Sequence, residues 1–147
     1  FDYSNGTKML SNCRHIPNAW SSVSEHVLGT EGECNIGAAN IKQFDGRLAW
    51  RYRGEDPNHF QVEHDVLFAA IRNDSEHNEA ENGAKSTLTS ILGRMATYSG
   101  KVVTWEQALN SELALVPSGY DWEAAPPTLP DEAGRYPIPM PGSTQAF

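Results

Sequence analysis

The stretch Asn78–Leu109 constrains the fold more than any other part of the chain. It reads as a long amphipathic helix, a glycine stop, a brief extended segment and a second, capped helix. Ala84, Leu88, Ile91, Leu92 and Met95 recur at steps of three and four, so they share one helix face. Asn78, with Glu81 three residues on, has the spacing of an N-cap and its return donor. Gly100 falls where a helix needs a left-handed residue to stop. Lys101-Val102-Val103 then gives a short extended segment, and Thr104 opens the next helix with Gln107 in the reciprocal capping-box position. A helix patterned in this way needs an apolar sheet or helix to lie on.

Residues 1–54 read as β-rich and supply the sheet. Phe1–Ser4 and Thr7–Leu10 flank Asn5-Gly6, a strong hairpin signal, and the second strand is expected to run on through Cys13 to His15. Pro17 and Asn18 break that ladder. Ser24–Leu28 reads as a strand, Gly29–Gly32 as a turn and Glu33–Ile36 as the return strand. Phe44–Arg47 is a further turn, leading into a strand over Leu48–Tyr52. Asp56-Pro57 then has the form of an N-cap followed by proline at the first helical position. Beyond it Phe60, His64, Leu67, Phe68 and Ile71 make an apolar stripe, and Asp74–His77 is a polar connector. Strands first and helices afterwards argue for α+β rather than a wound βαβ fold. The expected architecture is an open, mostly antiparallel sheet with helices packed on one face, over residues 1–110. Residues 111–147 lose periodicity and hold seven prolines between Pro117 and Pro141. With Tyr120 and Trp122 among them, this C-terminal tail is expected to wrap the domain rather than extend in disorder.

Bulk properties narrow the function. At 147 residues the chain has the length of one domain with a core of its own. A net charge of −8, with no cluster of Lys and Arg, argues against a nucleic-acid partner. No apolar run is long enough to span a membrane, and no signal or transit segment is recognisable. The chain begins at Phe1, as though in mid-strand, so a fragment or processed product is expected. Cys13 and Cys34, both in expected strands, have no zinc or redox spacing; they read as free thiols, with a strand-to-strand disulfide as the alternative. Asn5-Gly6-Thr7 and Asn73-Asp74-Ser75 match the glycosylation triplet, a short pattern that chance often produces.

Two constellations could carry chemistry. His59 and Glu63 lie four apart on one helix face, next to His64, which is a ligand-pair spacing. His59 stands at a helix start and His64 on the apolar stripe, so capping and packing are the favoured roles, and no third ligand can be named. Arg14, His15, Asn18 and Trp20 gather at a strand end and the loop after it, a usual place for ligand contacts. Arg and His can orient hydroxyls or a carboxylate, and Trp can stack on a sugar face. The plainer alternative is a loop anchored by a buried Trp. No Gly-x-Ser-x-Gly elbow and no Gly-x-Gly-x-x-Gly cradle occurs, because Gly29-Thr30-Glu31-Gly32 has the wrong spacing and leads into a strand. No catalytic, cofactor-binding or metal-ligating residue is therefore assigned to the chain.

The runs Glu63–Arg72, Gly83–Leu88 and Gly93–Trp105, with the Gly29–Gly32 turn upstream, resemble the later half of the substrate domain in the glucose–fructose oxidoreductase and inositol dehydrogenase family (Gfo/Idh/MocA). The resemblance covers roughly residues 1–125. It implies the C-terminal portion of an NAD(P)-dependent oxidoreductase acting by hydride transfer on a sugar, inositol or related polyol. In that family a Rossmann domain holds NAD or NADP. A Glu-Lys-Pro motif carries a catalytic Lys, and an Asp and a His lie on an early helix of the substrate domain. None of these matches a stretch of this sequence, so the resemblance places them outside it, the Asp/His helix upstream of Phe1. What it implies for these residues is a pocket wall and a subunit interface, with Arg14, His15, Asn18 and Trp20 on the substrate side and a homo-oligomer formed through the sheet face. A free-standing carbohydrate-binding or assembly module, with Trp20, Trp50 and Trp122 as stacking surfaces, is the competing expectation.

Overall fold

A single loop design turns the backbone three times. In a computed structural model describing residues 1–147, Tyr3 N–H donates to the Thr7 carbonyl and Gly6 N–H to the Tyr3 carbonyl, both at 2.9 Å. Gln43, Gly46 and Arg47 repeat these bonds, and so do Asp131, Gly134 and Arg135. In each loop the third residue is a glycine at positive φ (86°, 86° and 76°), the left-handed position of a type I turn with a glycine bulge. The Asn5 and Asp45 side chains brace their loops by accepting from the N–H two residues on, at 2.9 and 2.8 Å. Asn5-Gly6 therefore makes a three-residue loop over Ser4–Gly6, and the strands it joins shrink to one antiparallel bridge, Asp2 with Lys8.

The chain divides into two units, residues 13–77 and residues 1–12 with 78–147. In the first, β1 (His26–Leu28), β2 (Gly32–Asn35), β3 (Asn40–Gln43) and β4 (Leu48–Arg51) form an antiparallel sheet in sequential order. The fold class is α+β with an open antiparallel sheet. Sequence reading had no strand at β3, whose Asn40-Ile41-Lys42-Gln43 offers a single apolar residue. Conversely, Cys13–His15 is irregular chain, not a strand. A β-bulge at Ala49 puts Ile41 opposite Trp50 and Lys42 opposite Leu48.

Helix α1 (His59–Asn73) completes this unit. Its cap is Asn58, whose side chain accepts from Phe60 N–H at 3.0 Å and Gln61 N–H at 3.3 Å, so Asp56 and Pro57 stand ahead of the cap. Asn caps a helix as well as Asp does, and with Asn58 holding these two donors the helix begins at His59, which leaves Asp56 in the connector. α1 ends on Asp74 in left-handed conformation, with its N–H turned back to the Ala70 and Ile71 carbonyls. The helix packs against none of the four strands. Ala70 is the one apolar residue of this unit that is buried.

In the other unit α2 (Ala80–Ser99) and α3 (Trp105–Leu109) pack on each other, burying Met95 and Ala108. Gly100 stops α2 at φ 66°, donating to the Ala96 carbonyl. Thr104 and Gln107 make both bonds of the capping box. At the other end of α2 the N-cap is Glu79, without a side-chain cap bond, and not Asn78, which stands one residue earlier and accepts from Ala80 N–H at 3.0 Å, while Glu81 pairs forward with Lys85 at 2.5 Å. Lys101–Val103 is irregular, without strand pairing. Of the expected core stripe Met95 is buried, Leu88 and Leu92 are half-buried, and Ala84 and Ile91 are exposed. The last residues of the chain close over the end of α2. Gly142 N–H donates to the Ser99 carbonyl at 2.6 Å, Pro141 lies beside Gly100, and Ala146 and Ser99 are 2% and 1% exposed. Tyr120 and Trp122, expected to pin the tail, are exposed instead.

Candidate functional site

The four residues singled out by sequence do share one loop. Ala19 N–H donates to the Ile16 carbonyl at 3.2 Å, and Asn18 turns the corner in left-handed conformation at φ 62°. The Arg14 guanidinium donates across the loop to the Trp20 carbonyl. Arg14 is thus a clasp on the backbone, which ties up part of the fork that a hydroxyl or carboxylate would need. His15 is exposed, and Trp20 leaves 77% of its surface in solvent, so it is no buried anchor. The segment precedes β1 as irregular chain, and it lines neither of two open depressions near the chain terminus. What the loop offers is one open indole face.

His59, Glu63 and His64 take local roles on α1. The His59 ring lies 4.1 Å from that of Phe60, while His64 Nδ1 meets the Phe60 carbonyl at 2.6 Å and stands 3.7 Å from Glu63. No group of three or more His, Cys, Asp or Glu gathers anywhere in ligating range. Both cysteines are free thiols, Cys13 exposed and Cys34 half-buried in β2. The larger depression, about 500 Å³, lies in the second unit between the end of α3 and the chain terminus, with Gln107, Asn110, Ser111 and Phe147 in its wall. It is open and shallow, and its lining mixes amide, hydroxyl and carboxylate side chains with Leu113, Ala114 and Phe147.

The sheet holds the most organised surface. Its register aligns Val27 with Cys34, Cys34 with Ile41, and Ile41 with Trp50. Because side chains alternate across a strand, these four residues form one unbroken apolar row on one face. Tyr52 extends it, its ring 6.4 Å from that of Trp50. The opposite face carries the row Leu28–Glu33–Lys42–Leu48, with His26, Asn35, Asn40 and Arg51 in the next row. So this face is polar along its two middle strands with a leucine on each edge strand, and the other face carries the apolar row. The apolar side is uncovered: Val27, Ile41 and Trp50 are 53%, 39% and 51% exposed. Sequence reasoning missed the row, since it exists only once β3 joins β2 to β4. The Asp45-Gly46 turn ahead of the Leu48–Tyr52 strand, which calls for a partner strand before it, was the available signal.

The α1 stripe is a second uncovered apolar surface in the same unit. Phe60, Leu67, Phe68 and Ile71 are all exposed. No helix of the chain is long and apolar enough to cross a membrane. Scans against protein-family models, curated proteins and solved structures found no match to this chain.

Proposed function

We propose that this chain is an assembly module whose copies meet through the apolar side of the β1–β4 sheet. The observation that carries the reading is the uncovered row Val27–Cys34–Ile41–Trp50. An antiparallel sheet tolerates one solvated face, and here the face bearing Glu33, Lys42, Asn40 and Arg51 fits that role, with Leu28 and Leu48 on its two edge strands. The other side has the aromatic-rich, uncharged composition of an interface centre. Sedimentation velocity across a concentration series tests the reading. Reversible dimerisation is expected, and Trp50→Lys should shift it toward monomer by replacing the largest apolar side chain of the row with a charge. A strict monomer at high concentration would rule the module out.

A second reading joins the same surface to chemistry. The runs Glu63–Arg72 and Gly93–Trp105 resemble the oxidoreductase substrate domain described above, and they fall on α1 and on α2 with its cap. On that reading the sheet face is a subunit interface. Arg14, His15, Asn18 and Trp20 border the sugar or polyol, and NAD or NADP is held by other polypeptide, as hydride transfer needs cofactor and substrate carbons in near contact. Support comes from those runs alone. Tight nicotinamide binding by this chain by itself would contradict it. So would unchanged kcat/KM for the sugar substrate after Arg14→Ala and His15→Ala in a parent enzyme.

A further inference from the structure

We infer that copies of this chain assemble by exchanging α1, each copy's helix lying on the apolar row of the other's sheet. The inference rests on the assembly reading and names the contact that makes it. Area decides the occupant. Four strands set about 4.8 Å apart, three of them four residues long and β1 three, present a face of at most about 250 Å². Two such faces pressed together would bury about 500 Å², half of the roughly 1,000 Å² that a specific interface needs. A helix of fifteen residues is about 22 Å long, and its stripe matches one such face in size. Exchange uses two helix–sheet contacts per dimer and reaches about 1,000 Å² in total, the lower limit for a specific pair.

The connector explains why the helix of another copy, and not the chain's own, fills the sheet. Tyr52–Asn58 joins β4 to α1. It is braced by the Tyr52 hydroxyl donating to the Glu55 carbonyl at 3.0 Å, with the Tyr52 ring packed against Gly54. Pro57 restricts φ at its own position and keeps Asp56 extended. This braced segment carries α1 off its own strands and leaves both apolar surfaces open within one unit. A short, stiff hinge beside an uncovered element is the usual setting for exchange.

Cys34 sits in the row itself and serves as the probe. With Cys13→Ser removing the exposed thiol, Phe68→Cys places a second thiol on the α1 stripe, and Asp65→Cys places one on the polar side of the helix as control. Ile71→Cys repeats the stripe position in case Phe68→Cys unfolds the helix, which circular dichroism reports. Each protein is treated with a short bis-maleimide after mixing isotopically heavy and light copies, and its association state is measured by sedimentation before treatment. The expected result is a dimer in which Cys34 of one copy is linked to the stripe thiol of the other. The yield should be about tenfold or more above the control, as the docked helix raises local concentration. A dimer without that link, or with equal yield from the control, overturns exchange and leaves assembly standing. A monomer linked within one copy, or an unlinked monomer, overturns both.

Discussion

Ala39 is the residue at which this sheet is most open to improvement. It turns the β2–β3 corner at φ 47°, donating to the Ile36 carbonyl and accepting from Tyr52 N–H, both at 2.9 Å. A left-handed alanine costs about 1 to 2 kcal/mol, and glycine there gives part of that back as extra freedom in the unfolded chain. Ala39→Gly is therefore expected to stabilise the corner by about 0.5 to 1 kcal/mol, read as slower hydrogen exchange at Tyr52 N–H. Gly100→Ala should move the opposite way. The methyl group would meet Pro141 Cβ at 2.7 Å as well as an unfavourable φ, so α2 loses about 1 kcal/mol or more, and the Gly142 contact to Ser99 exchanges faster. At the N-terminal hairpin the Lys8 hydrogen bond, at 2.6 Å, and then the Lys8 charge hold the Asp2 carboxyl below the ordinary range. The same bond raises Lys8. A depressed carboxylate stabilises above its unfolded pKa and loses that contribution as pH falls through the folded value. A raised lysine contributes below its unfolded pKa and loses it as pH rises through the folded one. The hairpin should thus be insensitive to pH near neutrality and loosen at both extremes. Both side chains are solvated, so the effect is small; Asp2→Asn should abolish the acid limb in an NMR titration of the Tyr3 and Met9 amides.

At the scale of elements the caps decide where helices begin. Asn58, not Asp56, holds the first N–H groups of α1. Asn58→Ala is expected to cost the helix about 1 kcal/mol, whereas Asp56→Ala should be close to neutral, seen as a change in urea midpoint at 222 nm. Thr104→Ala should similarly cost α3 about 1 kcal/mol by opening the capping box. The Thr104–Gln107 cap was legible because both partners lie within four residues, as were Gly100 and the periodic faces of α1 and α2. The turns at Asn5-Gly6 and Asp45-Gly46 were legible too, although as positions and not as loop lengths. What stayed hidden was non-local. β3 has too little hydrophobic alternation to declare itself, and the row it completes arises from register between strands. Arg14 could be seen near Trp20, but its partner is a backbone carbonyl, which no side-chain pattern encodes. That is why the legible cluster is an open loop and the best-formed apolar surface lies elsewhere.

For the molecule as a whole, burial sets how it should unfold. Ala70, Met95, Ala108 and Ala146 are the buried apolar residues, and three of the four are alanines. Large side chains such as Phe60, Phe68, Ile71, Trp50 and Trp122 stay in solvent. The heat capacity of unfolding follows apolar surface removed from water, and an ordinary domain of 147 residues would show about 2 kcal/mol/K. A dilute solution of this chain is expected to fall well below that figure, with a shallow denaturant slope to match. Association changes both. If sheet rows are covered in a dimer, the apolar surface exposed on unfolding includes the interface, and mass action ties stability to protein concentration. Calorimetry over a hundredfold range should therefore show Tm rising and the transition sharpening as concentration increases, while Trp50→Lys stays broad and fixed in Tm throughout. A steep transition independent of concentration would mean that the row Val27–Cys34–Ile41–Trp50 takes no part in stability, and the assembly reading would lose its physical basis.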